Sequence, residues 1–330
     1  MLKDAATMRT ANSEQRTANS HNSDLKILVC YHKPYTMPPL DDGILLPVQG
    51  GKALSDIDLG FQTDNEINGL PCDNISGKND SYCELTVMYW AWKNLRKLYP
   101  DVKYVGLCHY RRLFAFRKIP FTSFLPTPES EIVNYRVDYE KVARILESGK
   151  IILHQKTVFS YSLMTQYCIC LVSEDYRRTK EVIRTKFPDY YDDFIAAMEK
   201  SNKGHLYNMF IMKYEDFEKY CEWLFAVLGE VEPLIPREGY DTLQKRTLAV
   251  MAERLLNVYV RKNKLKVCSL NAYYYDEKTQ HRGLMRRFYS SVWDGFSRMR
   301  GSLSFNLASA VDMLTLEWVR KIIKKLFSWR

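Results

Sequence analysis

The sequence predicts an α/β layered fold with a mainly parallel central sheet, and three observations carry that prediction. Short apolar runs at Lys26–His32, Tyr104–Cys108 and Ile151–Leu153 have the density of strands buried on both faces. The stretches before the second and third of these runs carry helical spacing and helix stop signals. Strands alternating with helices in this way build a parallel sheet with helices packed against it. Finally, each run ends in polar or basic residues: His32-Lys33, His109 to Arg112, and His154-Gln155. Ligands of such sheets sit beyond the carboxyl ends of the strands, so these three segments become the first candidates for a site.

The elements follow in order. Residues Met1 to Asp24 are polar, rich in Ser, Asn and Thr, and lack the apolar segment of a secretory signal; they read as a disordered leader or a translation-start artefact. After the first strand, a Pro-, Gly- and Asp-rich stretch runs to about Gly77 and reads as mostly loop. A loop that long in a compact domain usually serves a ligand. Ser81 with Glu84 three residues on fits a capping box, and Leu85, Met88, Trp92 and Leu95 then share one helix face until Pro100. A helix from about Tyr139 to Ser148 precedes the third strand. Tyr176 to Phe187 and Tyr190 to Lys200 read as helices around Pro188, Tyr207 to Met212 as a short apolar run, and Tyr214 to Leu228 as a helix. Asp241 to Asn263 is amphipathic, and Lys266 to Tyr275 is a late strand.

Composition limits the function. The chain has 330 residues, 46% hydrophobic and 13% aromatic, enough for a true core. Its 23 Tyr offer rings that stack and hydroxyls that hydrogen-bond, as sugar and base sites require. None of the 8 Cys forms a CxxC pair or lies at zinc spacing from a His, so a reducing cytoplasm is the natural setting and no metal site is indicated. The longest uncharged run, Thr157 to Ser173, is too short and polar for a membrane span. The net charge of +9 is concentrated between His281 and Arg330, which leaves the body close to neutral. A nucleic-acid-binding body would spread that charge over its own face, so nucleic acid is not the expected partner.

Candidate anion-binding residues cluster by position. His109-Tyr110-Arg111-Arg112 puts two guanidinium forks and an imidazole at a strand end, a composition suited to a diphosphate. His32, Lys33, His154 and Gln155 occupy the other strand ends. Asn74, Ser76, Lys78 and Asn79 precede the capped helix, where backbone amides hold anions or sugar hydroxyls; the same residues also make ordinary turns. Lys52, after Gly50-Gly51, has neither the Walker pattern nor the dinucleotide fingerprint around it.

Three stretches together resemble a known family. They are Asn74-Ile75-Ser76 through Cys83-Glu84-Leu85-Thr86 to Tyr89-Trp90-Ala91-Trp92-Lys93-Asn94, then Val105-Gly106-Leu107-Cys108-His109-Tyr110-Arg111-Arg112, and Tyr207-Asn208-Met209-Phe210-Ile211-Met212 with Tyr220-Cys221-Glu222-Trp223-Leu224-Phe225. This resembles the former domain-of-unknown-function family found in capsular-polysaccharide and O-antigen glycosyltransferases. The resemblance covers about residues 25 to 275 and implies a GT-A-like, Rossmann-type nucleotide-sugar fold, followed by a helical tail over 276–330. It also implies galactosyl or galactofuranosyl transfer from a UDP-sugar to a lipid-linked or growing polysaccharide. GT-A enzymes usually hold Mn²⁺ or Mg²⁺ through an Asp-x-Asp; here the comparable strand end carries His109 to Arg112, so cationic side chains are expected in place of the metal. Asn208, and Gln244, Arg246 and Glu253 beside Arg254, resemble the family's acceptor-side and closing-helix residues. The family often shows a His where this chain has Leu171.

A transferase of this kind needs a carboxylate to take the acceptor proton. Asp175, Glu215 and Asp216 are the candidates, because Glu84 is accounted for by its capping box. In the tail, Leu307, Val311, Leu314, Trp318, Ile322 and Leu326 form an apolar stripe with Arg320, Lys321, Lys324 and Lys325 among them. Residues 303–330 are thus expected to dock on an anionic membrane, making the protein cytoplasmic and peripheral to the inner face of the cell membrane. The competing class is a nucleotide- or carbohydrate-binding scaffold without turnover.

Overall fold

The computed structural model describes residues 24–40, 42–117 and 123–276. Residues 1–23 of the expected leader and 277–330 of the expected tail, including the stripe expected to dock on a membrane, lie outside the described residues. Nine strands form one sheet: β1 Leu25–Tyr31, β2 Leu45–Gln49, β3 Tyr104–His109, β4 Arg112–Phe114, β5 Phe124–Pro126, β6 Lys150–His154, β7 Phe210–Lys213, β8 Lys266–Leu270 and β9 Ala272–Tyr274. The main row runs β2-β1-β3-β7-β6-β8. Within it β1 is parallel to β2 and β3, β8 is parallel to β6, and β7 runs antiparallel to both neighbours. A ribbon of β4, β9 and β5 leaves the carboxyl end of β3, starting at the His109–Arg112 pair.

The sheet is covered on both faces, as its apolar runs foretell. Alternate residues divide between two cores: Leu28, Val105, Leu107, Ile151, Leu153, Phe210 and Met212 face one side, and Ile27, Val29, Ile152 and Ile211 the other. The longer helices are α1 Leu85–Leu98, α2 Tyr139–Glu147, α3 Leu163–Cys170, α4 Ser173–Lys186, α5 Tyr191–Met198, α6 Tyr214–Val231 and α7 Thr247–Lys262. Val142 and Leu146 of α2 pack on the second face; the other six contribute to the first, with Trp90 of α1 wholly buried there. Gly106 lies where the sheet is tightest. A Cβ on it would stand 2.9 Å from Ile211 Cγ1 and 3.0 Å from the Phe210 carbonyl, so no side chain fits. Among the described residues no helix is long and apolar enough to cross a membrane.

The α/β reading holds, but the sheet is mixed and not mainly parallel. Among the described residues four of its strand pairs are parallel and four antiparallel, because β7 enters reversed and the β4 ribbon folds back on β3. Three local departures accompany this. Strand β2 lies inside the stretch read as loop. Its central Pro47 argues against a strand, yet β2 is an outer strand, and Gln49 turns its N–H and C=O outward to Gln62 and Asp64. Pro47, two residues earlier, points the same way and forfeits no bond to β1. Helix α3 lies in the uncharged run, whose apolar residues surround it too evenly to show a periodicity. The late strand splits into β8 and β9 at the buried Asn271.

Candidate functional site

A cleft of about 550 Å³ opens at the carboxyl ends of β1, β2 and β3. Its floor comes from Cys30 near the end of β1 and His32 just past it, Gly50 after β2, and the turn from His109 at the end of β3 to Arg112 at the start of β4. One wall is Asn79, Cys83 and Glu84; the other is Tyr207 with Leu243, Arg246, Val250 and Glu253 at the start of α7. The parallel register of β1 with β3, pairing Cys30 with His109, brings the first two strand ends together.

The basic segment sits at the tip of a tight hairpin, since His109 pairs with Arg112. Both guanidiniums have a buried Nε without a hydrogen-bond partner. Neither makes an ion pair or hydrogen bond within the described residues. Aromatic faces hold them instead. Arg112 lies 4.7 Å from the Tyr207 ring centroid, 5.6 Å from Tyr274 and 5.7 Å from Phe124. Arg111 lies 5.2 Å from Tyr110 and 6.0 Å from Tyr274. Such packing fixes a planar cation while its N–H donors stay available to a ligand.

His109 contributes no charge. Burial, then the nearby Arg112, lowers its pKa to about 3. Its Nε2 is 2.6 Å from the Tyr207 carbonyl, which can only accept, so Nε2 carries the proton. His32 is likewise lowered, by burial and then by Lys33 and Arg111. The positive charge inside the cleft therefore belongs to Arg111, Arg112 and Arg246, whose Nε donates to Cys83 Sγ at 3.2 Å. Two carboxylates face them. Glu84 accepts from Asn208 Nδ2 at 2.7 Å, and Glu253 pairs with Arg254 at 2.8 Å. Burial pushes both carboxyl groups above their usual range.

The other expected site residues lie apart. Lys33 stands at the rim, 5.7 and 5.8 Å from the Tyr35 and Tyr110 rings. Buried His154 meets the Ser123 carbonyl, and the Gln155 amide bonds to Leu270 across to β8. Of the 47–79 loop residues only Gly50 and Asn79 reach the cleft, the latter bonded to the Cys83 carbonyl and Thr86 Oγ1. Ser76 donates to buried Asp64 at 2.5 Å, Asn74 closes its own turn, Lys78 pairs with Glu232 at 2.8 Å, and Lys52 Nζ caps the Ile57 carbonyl. The amides of Gly51 and Lys52 are taken by Asp64, which leaves this loop no anion cradle of its own. Gln244 caps its turn at Asp241.

None of the three expected base residues lines the cleft. Asp175 is fully buried, accepting from Tyr240, Thr247 and Arg178. Glu215 and Asp216 begin α6, and Glu215 pairs with Arg96 on the surface. They lie at the amino end of β3 because β7 is reversed: Lys213 pairs with Tyr104, while Phe210 pairs with Leu107. The residues that precede β7, not those after it, reach the ligand end. Sequence reading passed over Glu84, Cys83, Tyr207 and Asp64; the apparent capping box at Ser81 hid the first. Among the described residues no group of three or more His, Cys, Asp and Glu is arranged to hold a metal ion.

No curated protein matches the chain. The chain is similar to a solved structure described as the WbbM bifunctional glycosyltransferase in its apo form, with 30% identity and a TM-score of 0.64. The likeness covers 77% of this chain and 46% of that one, so this chain spans less than half of the larger protein's length. A family model described as a domain of unknown function, DUF4422, matches residues 26–264. That span takes in the cleft, both its walls and every strand of the sheet but β8 and β9, and on it the chain belongs to the DUF4422 family.

Proposed function

We propose that the protein is a glycosyltransferase that moves a sugar from a nucleotide-sugar donor to a saccharide acceptor in polysaccharide synthesis. One observation carries the reading: two adjacent guanidiniums stand at a parallel-sheet mouth without carboxylate partners, fixed by aromatic faces. Two such cations match the two charges of a diphosphate and stabilise it as a leaving group. The strand row supports a GT-A-like assignment, because one reversed strand lies between two sets of parallel ones. The likeness to a bifunctional glycosyltransferase points the same way.

The finer reading extends this. The donor is a UDP-sugar, with galactose or galactofuranose as the sugar, and Arg111, Arg112 and Arg246 take the role that a divalent ion plays elsewhere. The acceptor is a lipid-linked or growing chain of a capsule, exopolysaccharide or O-antigen. Purified protein is expected to release UDP from at least one galactose donor, with EDTA leaving the rate unchanged. UDP binding without release from any UDP-sugar, acceptor present, would instead mark a scaffold, and no binding at all would sink the reading. Residues 303–330 bring the enzyme to the membrane surface. Their deletion is expected to move the protein from the membrane pellet to the supernatant, and a truncated protein that still pellets overturns that part.

A further inference from the structure

The cleft holds two carboxylates and one of them has lost its expected structural duty. In the sequence Glu84 closes a capping box on Ser81. In the structure the helix breaks between them. Asn79–Tyr82 forms one turn and ends at Cys83, whose φ of 46° and ψ of −125° are rare for a residue with a side chain. Helix α1 then restarts with Glu84 at its N-cap position, and no side-chain capping bond forms. Ser81 Oγ is buried without a partner. The kink turns Glu84 off the helix end and into the cleft wall.

There the carboxylate is 8% exposed. Its side-chain partner is an amide, Asn208, and among the described residues no cation lies within ion-pair distance. Asn208 is itself fixed, 2% exposed, with a positive φ of 49° following Tyr207 at 72°. Glu253 differs. It is tied to Arg254, which Val250 and Gln166 hold in turn. A carboxylate tied into a guanidinium pair has its lone pairs committed, whereas one held by a single neutral amide keeps lone pairs open to an acceptor hydroxyl.

We infer that Glu84, presented by the Cys83 kink and oriented by Asn208 in the wall facing Arg111 and Arg112, is the base of the transfer. This rests on the glycosyltransferase reading above. The acceptor hydroxyl gives its proton to the Glu84 carboxylate as its oxygen pair forms the bond to the anomeric carbon. The bond from that carbon to the β-phosphate oxygen breaks, and its electron pair leaves with the diphosphate between the guanidiniums. Glu84 then passes the proton to water. Displacement from the opposite face inverts the anomeric centre. Glu253, tied to Arg254, is a positioning residue for the acceptor.

The groups that face Glu84 set its titration. Burial is the largest influence and raises its pKa; Asn208, its own backbone amide, Arg246 and Arg112 oppose. Glu253 and the thiols of Cys30 and Cys83 share the cleft wall with it.

Glu84→Gln tests the assignment. Transfer kcat is expected to fall by about a hundred- to ten-thousandfold while UDP affinity holds. The acid limb of the wild-type rate profile is expected to vanish in the variant. Asn208→Ala is expected to keep an acid limb but move it to higher pH, a shift that a merely structural asparagine would not produce. Glu253→Gln is expected to raise the acceptor KM and retain the limb. Product NMR is expected to show the inverted anomer. Unchanged transfer by Glu84→Gln, an acid limb that survives it, an Asn208→Ala limb that stays in place, or a retained anomer each overturns the assignment alone. A wild type that neither binds UDP nor releases it overturns the parent reading as well.

Discussion

Arg111→Ala and Arg112→Ala are each expected to lower the rate of UDP release sharply, by about a hundred- to a thousandfold, with the fold intact. The reason is the setting of the two side chains. Their Nε atoms are buried and unbonded, and each cation is braced on rings and not on acids. Removal strands no carboxylate, so little stability is lost, while the departing diphosphate loses a preorganised charge. Arg112 touches three rings and Arg111 two, which makes Arg112 the better fixed and its loss the larger. Lysine at either position is expected to restore only part of the rate, because it keeps charge but not the planar fork. UDP-release kinetics with a melting curve decide the matter; wild-type rates in both alanine variants would remove the diphosphate assignment.

Asp64→Ala is expected to act on stability and to be the more damaging to the fold. Asp64 is fully buried and accepts from the Gly51 and Lys52 amides and from Ser76 Oγ. Each buried donor left unbonded costs about 1–3 kcal/mol, so a loss of about 3–5 kcal/mol is expected. The loop has no room to rearrange. Gly51 sits at φ +70°, and a Cβ there would come within 2.6 Å of the Asn79 side chain. Because Gly50 and Asn79 both line the cleft, a loosened loop should weaken UDP binding too. Asparagine, which keeps one acceptor oxygen, is expected to lose less. A urea denaturation midpoint equal to wild type in Asp64→Ala would refute the role.

Much of this architecture was legible in the chain, and the reasons are particular. Runs buried on both faces announce themselves by apolar density, which is why β1, β3 and β6 and the polar residues after them were found. The basic quartet at His109–Arg112 was found on the same ground. Strand direction left no such mark. Nothing in Phe210–Lys213 says that it enters the sheet reversed, and so the carboxylates after it read as base candidates although they lie at the far end of β3. Glu84 was hidden by a pattern that fits a cap, since only the backbone at Cys83 reveals that the helix breaks there. Loop residues such as Ser76 and Lys52 have the right chemistry for a ligand, and their partners, Asp64 and the Ile57 carbonyl, are known only once the chain is folded.

Pro47 has a bearing on how copies of the protein meet. An open sheet offers its outermost strand as a template on which another chain can grow, the usual seed of fibrils and precipitates. On the β2 flank the ring nitrogen presents no hydrogen to such a visitor, and two residues on the Gln62–Asp64 segment already occupies the place. A neighbour arriving at that border finds no continuous ladder to extend, so crowding on this side does not zip molecules into a common sheet.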